Sequence, residues 1–148
     1  MNNIETLVVG TDGSATSLRA VARAGTIAAD FHAKLIIAMA YFPGHDDLTA
    51  EDVLKDEGYM VHGNAAIYAI LREAHDRAKA VGATNIEVRL VQGGPVKALC
   101  TLAKEVKADL LVIGNVGLGT RSERWLGSVP SNILHKAKTD VLIVHTTD

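Results

Sequence analysis

Glycine and hydroxyl residues are concentrated between Ala108 and Ser131, which makes this stretch the part of the chain best suited to chemistry. An apolar run, Leu110 to Ile113, ends at Gly114, and a second glycine, Gly117, precedes Gly127 by a spacer of nine residues. A buried strand, a glycine-containing loop and the start of a helix together offer backbone N–H groups to an anion. The stretch is therefore a candidate phosphate-binding site.

The helix predicted after Gly127 begins in a way that suits a bound ligand. The Ser128 hydroxyl can cap the helix by accepting from the first-turn amides. Pro130 lies where a missing N–H costs little, and Gly127 lets a ligand reach the backbone without meeting a Cβ atom. The same residue types also occur in plain turns and caps, so the glycines by themselves leave both interpretations open.

The glycine spacing differs from two widespread phosphate-binding patterns. It does not match the dinucleotide pattern Gly-x-Gly-x-x-Gly, and it lacks the Gly-Lys-Ser/Thr of the P-loop. No lysine of such a motif is therefore aimed at a β- or γ-phosphate.

Composition argues against several classes of function. The chain has 148 residues, 48% of them hydrophobic, which predicts a single domain over residues 1–148. Its 15 basic residues are scattered and its formal net charge is −2, so we expect no nucleic-acid partner. No secretory signal and no apolar run of about 20 residues is found, so we expect a cytoplasmic protein without a membrane partner. The single cysteine, Cys100, allows no internal disulfide, and its inward position on a predicted helix indicates a packing role.

Strand-like and helix-like segments alternate along the chain. Five short apolar segments predict strands: Glu5 to Gly10, Lys34 to Tyr41, Asn85 to Val91, Leu110 to Ile113 and Val141 to Val144. Four stretches with helical spacing lie between them: Leu18 to Ala28, Asn64 to Val81, Pro95 to Val106, and Val129 to about Lys138. Ser14 is a candidate cap for the first helix.

One predicted connection is long. Residues His45 to His62 are mostly polar, with a short possible helix after Thr49. Long loops in compact domains often lie over sites, but the polar composition slightly favours a surface excursion without such a role.

This alternation predicts a doubly wound α/β fold, a five-stranded parallel sheet with helices on both faces. Two strand orders are common, 3-2-1-4-5 and 2-1-3-4-5. We prefer the first because it makes the first and fourth strands neighbours and brings Gly10-Thr11-Asp12 beside Gly114 in one crevice. The third strand alternates apolar and polar residues, which places it at a sheet edge. A receiver domain is rejected because Val91-Gln92-Gly93 carries no acceptor aspartate and no lysine ends the fifth strand.

The chain resembles the universal stress protein family over essentially its whole length. Three features carry the resemblance: Val9 to Ser14 after the first strand, the spacing Gly114-x2-Gly117-x9-Gly127-Ser128-Val129, and Asp140 to Val144 near the end. Within the family the chain is most similar to an actinobacterial branch known for binding cyclic AMP. Four segments carry that closer similarity: Ala33 to Ala38, Gly114 to Leu118, Leu126 to Pro130 and Asp140 to Thr146.

The resemblance implies a nucleotide-binding site built from several loops. Asp12 matches the family aspartate near the ribose or base, and Ala40 matches the position against which adenine packs. The positions that match the ribose and phosphate region are Gly114 and Gly117 in the turn and Gly127, Ser128 and Val129 in the phosphate seat. The full predicted nucleotide-binding set is Gly10, Thr11, Asp12, Ala40, Ile113, Gly114, Val116, Gly117, Gly127, Ser128, Val129, Pro130 and Ser131.

The resemblance and the charge count together predict the ligand. A cyclic monophosphate carries one negative charge, which one helix N-terminus and Ser128 can hold. A triphosphate carries several charges and normally needs a metal or several basic groups. We therefore expect cyclic AMP, with ATP and Mg²⁺ as the alternative. The chain departs from many ATP-binding members at Asn115-Val116, where they have Ser-His or Arg-His, and at Trp125, where an aliphatic residue is usual.

The sequence gives no indication of an organised catalytic site. Its six histidines are scattered, and neither a Ser-His-Asp order nor a His-Glu-x-x-His pair is present. We therefore expect a binding module, a sensor or buffer without catalytic activity. A slow nucleotide hydrolase and a structural dimer with a vestigial crevice are the alternatives.

The last predicted strand is a candidate contact between two copies of the chain. Its residues are apolar throughout and are expected at an edge of the sheet: Val141, Leu142, Ile143 and Val144. An uncovered apolar edge favours pairing with another chain, and the resemblance implies pairing across a two-fold axis. We therefore expect a homodimer, while an edge covered by the chain's own loops is the alternative.

Overall fold

The computed structural model describes residues 3–41, 57–115 and 128–146. In these ranges strands and helices alternate in the order β1 (Thr6–Gly10), α1 (Ala15–Phe31), β2 (Lys34–Tyr41), α2 (Glu57–Ala80), β3 (Asn85–Gln92), α3 (Pro95–Glu105), β4 (Leu110–Gly114), α4 (Ser128–Lys136) and β5 (Val141–Val144). None of the helices in the described ranges has the length and hydrophobicity that crossing a membrane requires.

The five strands form one parallel sheet in the order β3-β2-β1-β4-β5, which confirms the predicted fold class and strand order. β1 and β4 lie side by side, with Val8 opposite Leu111 and Val9 opposite Val112. The direction of winding reverses between these two strands, so the chain leaves both of them at the same edge of the sheet. We call this edge, where the strands end, the carboxyl edge, and the opposite one the amino edge.

The sheet is buried on both faces, which explains the continuous apolar runs in its central strands. On one face Leu7 and Val9 of β1 belong to a core cluster with residues of α1 and α2. On the other face Val8 of β1 belongs to a cluster with residues of α3 and α4. Small side chains let α1 and α2 approach closely, since a Cβ atom at Gly25 would lie 2.9 Å from the Cα atom of Ala78.

Several local predictions are confirmed, and some helix boundaries are corrected. The Ser14 side chain caps α1 by accepting from the Ser17 amide. α2 begins at Glu57, so the final part of the predicted polar connection is helical. The two glycines in that part, Gly58 and Gly63, lower its helix propensity, which is why the sequence predicted a later start. Residues 42–56, with the possible helix after Thr49, lie outside the described residues.

The start and end of α4 also differ from prediction. The helix begins at Ser128, so Ser128 is its first residue and not the residue before it. Its backbone N–H is still among those that have no acceptor within the helix, because the first four amides of any helix lack one. The helix ends at Lys136, earlier than the predicted end near Lys138.

β3 is an edge strand as predicted, but its apolar side is more exposed than the alternation suggested. Val88 is 40% exposed and Leu90 is 39% exposed. On the other side Glu87 and Arg89 form an ion cluster with Lys34 of β2, in which Lys34 Nζ lies 2.8 Å from Glu87 Oε1 and Arg89 also contacts Glu87. The hydrogen bonds from Lys34 and then from Arg89 lower the pKa of Glu87 below its ordinary value of 4.5.

The environment of Cys100 agrees with the packing role expected from its position on the helix. It is half-buried and packs against the core cluster between the sheet and α3–α4. Burial raises the pKa of its thiol, although the nearby Lys136 ammonium acts in the opposite direction. A thiol with a raised pKa is a weak nucleophile at neutral pH.

Candidate functional site

A crevice of about 330 Å³ opens at the carboxyl edge, where the winding of the sheet reverses. This volume lies at the lower end of the range of about 300–1,000 Å³ that is usual for small-molecule sites. The described residues that line it come from the exits of β1, β2 and β4 and from the starts of α1, α3 and α4: Gly10, Thr11, Asp12, Ser17, Ala38, Ala40, Pro95, Leu99, Ile113, Gly114, Ser128, Val129 and Pro130.

The turn after β1 is held by a chain of hydroxyl groups. The Ser17 hydroxyl donates to the Ser14 carbonyl at 3.0 Å, so Thr11 must be the donor in the 2.8 Å contact between the Thr11 and Ser17 oxygens. The Thr11 oxygen in turn accepts from the Gly13 amide at 3.1 Å. Thr11 is only 7% exposed, and its backbone N–H donates to the Ala38 carbonyl at 2.9 Å. These bonds make the turn a preformed wall of the crevice.

Asp12 carries the one ionisable side chain among the described lining residues. It is exposed, and its Oδ1 atom accepts from the Ser14 amide at 2.9 Å. This bond fixes the direction of the carboxylate. An ionised carboxylate has further acceptor sites, so Asp12 can accept a hydrogen bond from a ligand hydroxyl in the crevice.

Three helix N-termini contribute to the crevice. α3 begins with Pro95, which has no backbone N–H to offer, and the starts of α1 and α4 differ in how their amides are used. At the start of α1 two amides are already used internally, because the Ser14 hydroxyl accepts from the Ser17 amide and the Asp12 carboxylate accepts from the Ser14 amide. In α4 the first three residues, Ser128 to Pro130, all line the crevice. A helix N-terminus attracts negative charge through its free amides and its dipole. α4 is therefore the better seat for an anionic group.

The remaining described wall is largely apolar. Ala38 and Ala40 come from β2, Ile113 from β4 and Leu99 from α3. Gly10 leaves room for one of them, since a Cβ atom at Gly10 would lie 2.7 Å from the Leu99 Cδ1 atom. These small and branched aliphatic side chains give the crevice an apolar part, which suits an apolar group of a ligand.

The exit of β4 is anchored directly after Gly114. The Asn115 amide donates to the Val144 carbonyl at 2.9 Å, which extends the pairing of β4 with β5. The Asn115 Oδ1 atom accepts twice from Thr146, from its amide and from its hydroxyl, each at 2.9 Å. The Thr146 carbonyl accepts from Arg19 Nη1 at 2.7 Å. The segment after β5 thus contacts both β4 and α1.

Most of the predicted site residues that the structure describes lie together. Nine of the thirteen line the crevice: Gly10, Thr11, Asp12, Ala40, Ile113, Gly114, Ser128, Val129 and Pro130. Ser131 is half-buried on α4 and does not line it. Val116, Gly117 and Gly127 lie outside the described residues, as do Trp125 and the arginines of the same loop.

Four further lining residues were not predicted: Ser17, Ala38, Pro95 and Leu99. Some of them have a signal in the sequence. Ala38 precedes Ala40 by two residues on one strand and so faces the same side. Pro95 and Leu99 are four residues apart at a helix start and so share a helix face. Ser17 has no such signal, because its contact with Thr11 depends on the shape of the turn.

Comparisons with known proteins identify the family of the chain. The model of the universal stress protein family matches residues 3–145. The universal stress protein Rv1636 of Mycobacterium tuberculosis is 60% identical over 148 residues, covering 99% of this chain and 100% of that protein. A crystal structure of a universal stress protein in complex with cAMP has 61% sequence identity and a TM-score of 0.78, covering 99% of this chain and 100% of that one.

A more distant structure shows the same fold. The universal stress protein UspA from Lactobacillus plantarum has a TM-score of 0.79 at 21% sequence identity, covering 97% of this chain and 99% of that one.

The match of the family model over nearly the whole chain and the 60% identity to a full-length relative settle the family. This chain belongs to the universal stress protein family.

Proposed function

We propose that this protein binds an adenine nucleotide in the crevice at the carboxyl edge, and that cyclic AMP is its preferred ligand. One observation carries the proposal: the exits of β1 and β4 and the start of α4 meet in a single crevice. That is where ligands bind in doubly wound sheets. The universal stress protein at 61% identity, whose crystal structure holds cAMP, supports the choice of ligand.

Each part of an adenosine monophosphate has a chemically suitable partner in the described wall. The apolar part of the wall, with Ala40, suits the adenine ring, and the Asp12 carboxylate can accept a hydrogen bond that a ribose hydroxyl donates. The amides and the Ser128 hydroxyl at the start of α4 suit the phosphate. The proposed binding set remains the predicted one, with Val116, Gly117, Gly127 and Ser131 included.

Charge favours a monophosphate over a triphosphate. The described lining contains no lysine or arginine, and Asp12 adds a negative charge. One helix N-terminus offsets roughly half an elementary charge, which suits the single charge of a cyclic phosphate. ATP with Mg²⁺ is the second candidate, in which Asp12 is the one described lining carboxylate that could contribute to metal binding.

The proposed role is binding without turnover. The described lining contains no histidine or cysteine, and its Thr11 and Ser17 hydroxyls are committed to the turn after β1. In the described part of the chain the hydrogen-bond partners of these two hydroxyls are each other, backbone amides and the Ser14 carbonyl, and none of these is a general base. Release of phosphate from ATP above the uncatalysed rate would instead identify a slow hydrolase.

We further propose a homodimer that pairs β5 with its counterpart. β5 is the last strand of the sheet, and Val141, Leu142 and Ile143 are only half-buried. A short apolar edge strand of this kind favours pairing with a second chain. Light scattering at micromolar concentration is expected to give the mass of a dimer, and a monomer mass would contradict this proposal.

Calorimetric titration tests the choice of ligand. The wild-type protein is titrated with cyclic AMP, with ATP and with ATP plus Mg²⁺, and cyclic GMP serves as the control for recognition of the base. We expect cyclic AMP to bind most tightly. Tenfold tighter binding of ATP would reverse the order, and no binding of any adenine nucleotide would contradict the proposed function.

A further inference from the structure

Thr146, just beyond β5, forms hydrogen bonds to the ends of two elements that both contribute to the wall of the crevice. It is 1% exposed, and both its amide and its hydroxyl donate to Asn115, which directly follows Gly114 of β4. Its carbonyl accepts from Arg19, which lies on α1 behind the turn that holds Thr11 and Asp12. The segment after β5 therefore links the β4 exit to the helix that follows the β1 exit.

Asn115 is held at two points by this segment. Its backbone amide donates to the Val144 carbonyl at 2.9 Å, and its side-chain oxygen accepts the two bonds from Thr146. A residue fixed through both its backbone and its side chain has little freedom in its backbone angles or in χ1. The direction in which the chain leaves Gly114 is therefore set by contacts with the segment after β5.

We propose that Asn115 and Thr146 are positioning residues for the nucleotide site. Neither lines the crevice, so they act through Gly114, by fixing how far it lies from the turn at Gly10 to Asp12. This inference rests on the proposed nucleotide binding. It gives a role to Asn115, one of the variable positions of the glycine motif, and adds Thr146, which the motif does not contain.

The choice of asparagine fits this role. An amide oxygen can accept two hydrogen bonds while remaining neutral. Aspartate would accept the same two bonds from Thr146 but would place a negative charge one residue from Gly114. Such a charge would oppose a phosphate in the crevice. Asn115 therefore provides the anchoring without weakening the affinity for an anion.

The other end of β4 offers a matched control. Asp109, just before the strand, accepts at its Oδ2 atom from the Glu5 amide at 2.8 Å and from the Thr6 amide at 3.1 Å. Its backbone amide donates to the Thr6 carbonyl at 2.8 Å. One oxygen again accepts two bonds and again anchors an end of β4. At about 3.3 Å per residue, however, this anchor is about 20 Å from Asn115.

The experiment compares Asn115→Ala with Asp109→Ala. Affinity for cyclic AMP is measured by calorimetry, and stability is measured by urea unfolding of the same samples. We expect both variants to be destabilised, whereas only Asn115→Ala binds cyclic AMP about five- to tenfold more weakly, the effect of losing one or two hydrogen bonds. Unchanged affinity in Asn115→Ala, or an equal loss of affinity in both variants, would overturn the inference.

A second pair of variants covers the case in which Asn115→Ala does not fold. Thr146→Val keeps the shape of the side chain but removes the hydroxyl donor, and Thr146→Ser keeps that donor. We expect about threefold weaker binding in Thr146→Val and wild-type binding in Thr146→Ser, as expected for one hydrogen bond of modest strength. Wild-type affinity in Thr146→Val would contradict the positioning role.

The same titrations separate failure of this inference from failure of the proposed function. If the wild-type protein binds cyclic AMP and Asn115→Ala binds it equally well, only the positioning role is wrong. If the wild-type protein binds no adenine nucleotide, the proposed function is wrong and the positioning role fails with it.

Discussion

At its amino end β4 is anchored by Asp109 to the start of β1, and at its carboxyl end it is anchored by Asn115 to the segment after β5. Both anchors use one side-chain oxygen that accepts two hydrogen bonds, together with a backbone bond to a neighbouring strand. The Asp109 side chain is exposed and carries a charge, whereas Asn115 is half-buried and neutral.

The difference between the two ends lies in what surrounds them. At the amino edge the chain passes from α3 into β4 by a tight turn, and the contacts of Asp109 serve the sheet alone. At the carboxyl edge the chain leaves β1 and β4 in opposite directions, which opens a crevice between them. The same local chemistry is therefore structural at one edge and adjoins a binding site at the other.

Among the variants compared between the two edges, Gly114→Ala at the carboxyl edge is expected to lose the most affinity for cyclic AMP. A methyl group at this position enters the space where we propose that the nucleotide touches the backbone. We expect affinity for cyclic AMP to fall by about 2 kcal/mol, or about thirtyfold, as for overpacking of a close contact. Calorimetry measures this loss, and urea unfolding should show a smaller change in stability. A loss of stability as large as the loss of binding would make Gly114 a structural residue.

Ser128→Ala tests whether the starts of α4 and α1, both at the carboxyl edge, differ in their contribution to nucleotide binding. Loss of a hydroxyl that meets a phosphate should weaken binding of cyclic AMP by about 1–2 kcal/mol, measured by calorimetry. Ser14→Ala is the matched control, because its hydroxyl caps α1 and is not among the lining residues. This control should lower the free energy of unfolding by about 1 kcal/mol and leave affinity nearly unchanged. Equal losses of affinity in the two variants would remove the distinction between the two helix starts.

The smallest effect is expected from Glu87→Gln near the amino edge, as a small decrease in the free energy of unfolding. Lys34 and Arg89 lower the pKa of Glu87, so folding favours its ionised form. The stabilisation is therefore present above the ordinary pKa of 4.5 and is lost as the pH falls through the lowered pKa. For a partly exposed ion pair we expect a loss of less than about 1 kcal/mol at pH 7.

Urea unfolding of Glu87→Gln and wild type at several pH values measures this effect. The two curves should converge in acid, and affinity for cyclic AMP at pH 7 should be unchanged. A difference that grows as the pH falls would show that the ion cluster does not stabilise the fold as described.

Much of the crevice could be predicted because its residues belong to patterns that span only a few neighbouring positions in the sequence. Gly10 and Gly114 end apolar strands, and Ser128 precedes a helical pattern that contains Pro130. The strand order then followed from uniting the two unusual turns, and the structure confirmed it. The start of α2 at Glu57 was missed, because Gly58 and Gly63 lower the local helix propensity that packing can override.

Other features of the structure could not be predicted from any pattern of neighbouring residues. The contact of Ser17 with Thr11 depends on the path of the turn after β1. The exposure of Val88 and Leu90 shows that alternation identifies an edge strand without fixing how much of each face is covered.

The sequence by itself determined the alternation of strands and helices, the apolar runs of the buried sheet and the glycines at the carboxyl ends of β1 and β4, because each depends on residues close together in the chain. Only the tertiary structure decided which distant residues anchor the chain beside the crevice. Thr146 and Asn115 are 31 positions apart, and Thr146 and Arg19 are 127 positions apart. Their contacts arise from the position of β5 beside β4, and no local pattern encodes a hydrogen bond between residues that only folding brings together.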